Sequence, residues 1–187
     1  MATNWFGIVG RNGSGKSTVC EYLVSKGYRV YSLSDVVRNH ATEQGLGHDR
    51  DTLTSLANQL KADHGTDFFA KAVVDSAKGQ PFVVFDSIRH PSEIHYLRSH
   101  NVQFIGVHCS LKECYDRIVR RGKQTDFVSF EEFKRQDEYE MKGQSFGQLI
   151  SDCLALCDKT IHNDGDLRNL YDAVDDMLIA MGALNVK

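Results

Sequence analysis

Two hydrophobic periodicities alternate along the 187-residue chain. Short, nearly continuous apolar runs are typical of strands buried on both faces. They occur at residues 5–10, 28–33, 81–86, 102–109 and 158–163. Between them apolar residues recur at helical spacing, and Gly27 and Gly122 follow the ends of two such segments, where glycine commonly stops a helix. Strands separated by helices predict a parallel sheet covered on both faces, so we expect one α/β domain over residues 1–187.

The stretch GRNGSGKST follows the first apolar run and matches the pattern G-x-x-x-x-G-K-[ST]. It joins a predicted strand to a predicted helix, which is the context that distinguishes a phosphate-binding loop from an ordinary turn. Its glycines allow backbone N–H groups to converge on an anion at the helix N-terminus. The lysine reaches the β- and γ-phosphates of a nucleoside triphosphate, and the serine hydroxyl holds Mg²⁺. The predicted nucleotide-binding residues are Gly10, Asn12, Gly13, Ser14, Gly15, Lys16, Ser17 and Thr18.

Asp86 ends the apolar run of VVFD, and open α/β sheets bind ligands at the carboxyl ends of their strands. A carboxylate at this position can hold the metal ion together with Ser17, as Walker-B acids do. The alternative is an aspartate that caps a turn or a helix. Arg89 follows three residues later and suits bidentate recognition of an acceptor phosphate, the alternative being a surface arginine paired with an acid.

Asp35 and Arg38 lie in SLSDVVR, immediately after the second predicted strand. A serine or aspartate here is expected to cap the next helix, which explains Ser34 and part of the role of Asp35. Arg38 lies one turn into that helix and can reach the same crevice as Arg89. A solvated helix face is an equally good interpretation of Arg38.

Arginines also cluster in RIVRRG, and another stands in RQDEYE. Basic residues on helices usually face solvent or neighbouring carboxylates. Phosphoryl transfer, however, develops charge on the transferred oxygens, and arginines on a closing flap compensate it. We therefore expect a lid over about residues 117–140. The predicted catalytic residues are Lys16, Asp86, Arg117, Arg121 and Arg135.

The loop IHNDGD follows the last predicted strand. Asn163 and Gly165 fit a turn. The loop also suits contact with the nucleotide base, because the carboxyl end of the fifth strand is expected beside the phosphate loop. Asn163 is therefore included among the nucleotide-binding candidates.

Composition excludes several other classes of protein. No apolar run approaches the roughly 18 residues of a membrane span, and the N-terminal sequence lacks the pattern of a signal peptide. The net charge of −3 provides no general attraction to nucleic acid. Five scattered cysteines and eight histidines show no zinc-ligand or H-E-x-x-H spacing, and we expect mostly buried thiols and surface imidazoles. A cytoplasmic location without a membrane partner is expected.

The order GxxxxGKST, SLSDVVR, FDSIR, RIVRRG with RQDEYE, and IHNDGD resembles the nucleoside monophosphate kinase family of P-loop proteins, in its adenylate-kinase-like and dephospho-CoA-kinase-like branch. The resemblance covers about residues 5–178. It implies a three-layer α/β/α fold with a five-stranded parallel sheet of order 2-3-1-4-5, an acceptor-binding helical region at about 34–79 and a short lid. Compared with the adenylate kinase segments, Ser34 replaces a glycine, and FDSIR is one residue shorter between its acid and its arginine.

The resemblance further implies transfer of the γ-phosphoryl group from ATP, with Mg²⁺, to a small nucleotide acceptor. Asp35, Arg38 and Arg89 are the residues it assigns to the acceptor. A nucleoside or deoxynucleoside monophosphate is the first candidate acceptor. Dephospho-CoA is the second, and a P-loop ATP or GTP switch without an acceptor is the third. The base, the sugar and the oligomeric state are not encoded in these motifs.

Overall fold

The five predicted strands form one parallel sheet in the computed structural model, which describes residues 4–122, 128–143 and 148–183. The strands are Asn4–Val9 (β1), Arg29–Ser32 (β2), Phe82–Asp86 (β3), Gln103–His108 (β4) and Lys159–His162 (β5). Their order is β2-β3-β1-β4-β5, and each neighbouring pair is parallel. The predicted strand order is confirmed. It places β1, which leads into the phosphate-loop motif, at the centre of the sheet.

Helices connect the strands and cover the sheet. They are Lys16–Ser25 (α1), Leu33–Glu43 (α2), Arg50–His64 (α3), Phe68–Ala77 (α4), Pro91–Arg98 (α5), Leu111–Arg121 (α6), Phe130–Met141 (α7), Ile150–Ala155 (α8) and Leu167–Ala180 (α9). Local sequence explains several of their ends. Pro91 is the first residue of α5, where its missing N–H costs nothing. The Ser129 hydroxyl caps α7 by accepting a hydrogen bond from the Glu132 amide at 3.2 Å.

The second strand is shorter than the sequence pattern predicts. It ends at Ser32, and Leu33 already begins α2. Leu33 and Val37 are four residues apart and both buried, so helical spacing accounts for Leu33 better than an extended strand does. The expectation that Ser34 caps the helix is wrong, because Ser32 occupies the N-cap position and Ser34 lies inside the first turn.

Side chains alternate between the two faces of the sheet. On β3, Val83 and Phe85 pack in the cluster that contains α2, α3, α4 and α5, whereas Val84 packs in the cluster that contains α1 and α9. Asp86 has the same parity as Val84, so it belongs to the α1 face. This alternation brings the carboxylate at the end of β3 to the side of the sheet on which the phosphate-loop helix lies. No helix of the described ranges is long and apolar enough to cross a membrane.

Candidate functional site

The motif at residues 10–18 forms a tight turn between β1 and α1. Gly13 and Gly15 have φ values of 80° and 103°, a backbone region that other residues rarely adopt. A Cβ at Gly13 would collide with the carbonyl oxygen of Cys114, and one at Gly15 would collide with the side-chain amide of Asn163. Glycine is therefore required at both positions for conformation and for space, and the loop has the form expected of a phosphate cradle.

Two residues from distant parts of the chain hold this loop. The Asn163 amide is buried and donates to the Ser14 carbonyl at 2.8 Å. Arg117 donates to the Asn163 carbonyl at 2.9 Å and approaches the Ser14 carbonyl at 3.5 Å. Arg117 also forms an ion pair with Glu113 at 3.2 Å. In this structure Asn163 and Arg117 thus support the phosphate loop from outside.

Lys16 lies at the mouth of the loop, where its ammonium donates to the Arg11 carbonyl at 2.8 Å. Burial lowers the pKa of Lys16 below its ordinary value, and the positive charge of Arg89 acts in the same direction. The carboxylates of Asp86 and Glu140 oppose this shift. A phosphate beside this ammonium would stabilise its charged form, because the negative charge replaces the solvation that burial has removed.

Asp86 is placed where a metal ligand would stand. Among the described residues its buried Oδ1 has no hydrogen-bond partner, and its Oδ2 accepts a long hydrogen bond of 3.3 Å from the Ser87 hydroxyl. Asp86 is not the cap of α5, the next helix along the chain, because His90 occupies that position. Ser17 and Asp86 line the same cavity, and both also line a second cavity of about 350 Å³ beside Cys20. A buried carboxylate oxygen without a partner costs free energy unless a cation or a water satisfies it.

The larger cavity extends from the phosphate loop to α2 and α3 and has a volume of about 490 Å³. This size is within the usual range for small-molecule sites. The predicted residues along its wall are Gly10, Asn12, Lys16, Ser17, Arg38, Asp86, Arg89 and Arg121. Thus the triphosphate end predicted from the motif and the arginines predicted for the acceptor share one space.

Arg38 and its surroundings form the part of this cavity that the sequence predicts for the acceptor. Arg38 is about half exposed and donates to the Asp35 carboxylate at 2.6 Å and to the Ser34 hydroxyl at 2.8 Å. The hydroxyls of Ser32, Ser34 and Ser87 lie within 2.9–3.3 Å of one another. All three serines line the cavity. They provide a wall of hydroxyl donors and acceptors between Asp86 and Arg38.

A buried ion pair forms part of the same wall. The Lys61 ammonium on α3 lies 3.1 Å from Oε1 of Glu93 on α5, and the two side chains are only 6% and 2% exposed. Oε2 of Glu93 accepts from the backbone amides of Arg89 at 2.8 Å and His90 at 3.0 Å. Glu93 therefore fixes the backbone that carries Arg89, and Lys61 neutralises the carboxylate of Glu93.

Helix α7 lies across the cavity from α3 and contacts the phosphate loop. Asp137 is buried and pairs with Arg11 at 3.3 Å, yet burial outweighs that pair and raises the pKa of its carboxyl. Glu140 pairs with Arg50 at the start of α3, which also donates to Gln136 at 2.7 Å. Asp137 and Glu140 of α7 thus link this helix to the phosphate loop through Arg11 and to α3 through Arg50.

The predicted lid arginines occupy different environments. Arg121 lines the cavity from the end of α6, whereas Arg135 is 78% exposed and pairs with Glu132 at 2.8 Å on its own helix. Residues 123–127 of the predicted lid lie outside the described residues. Sequence reasoning missed Arg50, Lys61, Glu93 and Glu140. Only Glu93 carries a local signal, since it stands three residues after the helix-capping position of His90.

Comparison with known proteins identifies the family. The AAA domain model (AAA_18) matches residues 7–140. A UPF0200 protein of Methanoregula boonei is 30% identical over 182 residues, which are 95% of this chain and 97% of that protein. The chain belongs to the UPF0200 family of P-loop proteins. A UPF0200 protein of Methanococcus maripaludis strain C6 is 31% identical, covering 91% of this chain and 92% of its own.

Solved structures similar to this UPF0200 chain include kinases. TT1252 from Thermus thermophilus has a TM-score of 0.67 at 22% identity and covers 97% of this chain and 99% of its own. Shikimate kinase from Bacteroides thetaiotaomicron has a TM-score of 0.63 at 9% identity with the same two coverages. A gluconokinase from Sinorhizobium meliloti has a TM-score of 0.54 at 14% identity and covers 96% of this chain and 95% of its own. The fold is therefore that of P-loop kinases, as the motifs indicated.

Proposed function

We propose that this protein is an ATP-dependent phosphotransferase that moves the γ-phosphoryl group to a small nucleotide acceptor, a nucleoside or deoxynucleoside monophosphate. One observation carries the proposal. Lys16, Ser17 and Asp86 line the same 490 Å³ cavity as Arg38 and Arg89. A triphosphate-binding switch needs the first group of residues but has no use for the second.

The residues at the donor end fit Mg-ATP. Within the part of the chain that the structure describes, Ser14 Oγ and Asp86 Oδ1 are both buried without a hydrogen-bond partner, and the loop amides and the Lys16 ammonium are donors. The loop and Lys16 would hold the phosphates, and Ser17 with Asp86 would hold Mg²⁺. When bound, Mg²⁺ supplies positive charge that neutralises the phosphates and orients them. Asn163 and Arg117 keep the loop in position, because the Asn163 amide donates to the Ser14 carbonyl and Arg117 donates to the carbonyl of Asn163.

The acceptor end suits an anionic group. Arg38 and Arg89 both line the cavity, and the hydroxyls of Ser32, Ser34 and Ser87 lie between Arg38 and Asp86. Direct transfer between two bound substrates requires positioning and charge compensation rather than a protein nucleophile. Arg121 lines the same cavity and is proposed to stabilise the transferred group, and Arg135 is retained as a second lid candidate by its sequence alone.

Kinetics of Arg38→Ala and Arg89→Ala test the proposal. Charge-assisted hydrogen bonds to an ionised group contribute roughly 1.5–3 kcal/mol each, so each variant should raise the acceptor KM by about 10- to 150-fold. KM for ATP should change little, because Lys16 and the loop hold the donor phosphates. Arg168→Ala on the exposed face of α9 is the matched control and should leave both values unchanged.

The assay couples ADP release to a panel of nucleoside and deoxynucleoside monophosphates, dephospho-CoA, shikimate and gluconate. If only dephospho-CoA stimulated ADP release, the acceptor group would be a ribose hydroxyl instead of the phosphate of a nucleoside monophosphate. No stimulation by any acceptor, together with parental ATP hydrolysis in both arginine variants, would reject the phosphotransferase in favour of an ATP-binding switch. A parallel rise of both KM values would mean that the arginines support the sheet edge instead of a substrate.

A further inference from the structure

The carboxyl ends of β4 and β5 bring two histidines together on the side of the sheet away from α1. His108 and His162 are the last residues of these parallel strands and are direct neighbours in the register. Their ring centroids lie 5.3 Å apart. Val107 and Ile161, one residue earlier, pack with α1 and α9, so the histidines project from the opposite face. Both imidazoles are exposed to solvent.

Asp164 completes a group of three possible ligands. One ligand atom from each of His108, His162 and Asp164 lies within 4.8 Å of the others. Oδ1 of Asp164 accepts a hydrogen bond from the Ser110 amide at 3.0 Å, which fixes the carboxylate beside the histidines. Ligand bonds to a zinc-type ion are about 2.0–2.2 Å long, so atoms sharing such an ion lie about 3–4 Å apart. Small rotations of these exposed side chains are sufficient to close that difference.

We propose that His108, His162 and Asp164 form a binding site for a divalent late transition metal of the Zn²⁺ type. Imidazole is a good ligand for Zn²⁺, Co²⁺ and Ni²⁺, whereas Mg²⁺ prefers oxygen ligands. This donor set therefore differs from that of Ser17 and Asp86, which offers only oxygen. Three protein ligands leave at least one coordination position for water or another donor.

The bound metal would act on the phosphate loop through Asn163. This residue lies between His162 and Asp164 in sequence, and its buried amide holds the Ser14 carbonyl at 2.8 Å. Asp164 is in turn attached to the start of α6 through Ser110. A metal ion would thus join β4, β5 and the first residues of α6 at the base of the loop. We expect it to stabilise the folded chain, since it would bind the folded state and not the unfolded one.

Titration of Zn²⁺ alone into the full chain, stripped with a chelator and kept in excess Mg²⁺, tests the site. Calorimetry should detect one site, and the absorption bands of Co²⁺ should show nitrogen and oxygen ligands. His108→Ala and His162→Ala should each weaken Zn²⁺ binding by at least about 10-fold, the smallest loss usual for disturbing even an outer-shell group. His95→Ala, which removes an exposed histidine from α5, is the control and should bind as the parent does.

Asp164→Asn provides a second variant that preserves the local fold. Its side-chain oxygen can still accept from the Ser110 amide, but the charge and the second oxygen ligand are lost. It should also weaken binding by at least about 10-fold and abolish the rise in melting temperature that Zn²⁺ gives the parent. Absence of a saturable site in the parent would overturn the proposal. Zn²⁺ binding that all three variants retain would equally overturn it, because the ligands would then lie elsewhere.

Discussion

Replacing Lys61 by methionine should destabilise the fold strongly, although Lys61 lies outside all of the sequence motifs. The substitution preserves most of the side-chain volume but leaves the Glu93 carboxylate, 2% exposed, without its cation. Removing one partner of a buried ion pair costs about 3–5 kcal/mol. Two backbone N–H groups still bind Oε2 of Glu93, which favours the lower end of that range. For a chain of this size each kcal/mol lowers Tm by about 2–4 °C, so a loss of about 6–20 °C is expected.

A double-mutant cycle measured by urea unfolding isolates this pair. Glu93→Gln alone should also be destabilising, because it leaves the Lys61 ammonium buried without its partner. The double variant Lys61→Met/Glu93→Gln should recover most of the loss, since neither charge then remains. Lys78→Met breaks an exposed pair with Asp75 and should leave Tm unchanged. Additive losses in the cycle, or a Lys61→Met variant as stable as Lys78→Met, would refute the reasoning.

Three further predictions concern the phosphate loop and Asp86, the proposed metal ligand. Asp86→Asn should lower turnover by about 10²-fold or more, because the substitution removes a charge from the proposed Mg²⁺ shell. Tm should change little, because Asp86 is not the cap of α5. A variant that is active but unstable would contradict this prediction. Gly15→Ala should lower the free energy of unfolding by about 1–3 kcal/mol because of the positive φ at this position, and further because the new Cβ would collide with Asn163. Gly79 also has a positive φ, but no atom lies within 4 Å of a Cβ placed there, so Gly79→Ala measures the effect of φ alone. Because burial lowers the pKa of Lys16, ATP affinity should be highest below that pKa and fall as the pH rises through it, at a lower pH than for an ordinary lysine. Calorimetry in buffers of different ionisation enthalpy should detect proton uptake when ATP binds at a pH near this pKa. Absence of proton uptake would count against a desolvated lysine.

The parts of the site that sequence could predict are those encoded over a few consecutive residues. The phosphate loop needs glycines at fixed positions, and Asp86 stands at the end of a strand whose apolar pattern is unmistakable. Strand order followed from the family resemblance rather than from periodicity. The phosphate loop and the position of Asp86 each depend on a single strand and the residues that follow it, so a local pattern is sufficient for these two features.

The remaining parts depend on which charges meet across the tertiary structure. RQDEYE offers several charged residues, and sequence favoured Arg135 as the residue that faces the site. The structure turns Asp137 and Glu140 inward, one pairing with Arg11 and the other with Arg50. The phase of α7 is set by Phe133, which packs among the residues of α6. That phase cannot be inferred from charges alone, because acids both precede and follow the two bases of the helix.

The position of β1 in the sheet gives the phosphate loop and the Arg38 wall of the cavity unequal resistance to local opening. The phosphate loop leaves the innermost strand, which is bonded to β3 on one side and to β4 on the other. Arg38, by contrast, stands on the helix that leaves β2, a border strand bonded only to β3 within the described sheet. Border strands and the helices behind them open at lower free-energy cost than the centre of a sheet. Under the proposed function, the wall that would hold the acceptor therefore opens at lower free-energy cost than the loop that would hold the triphosphate.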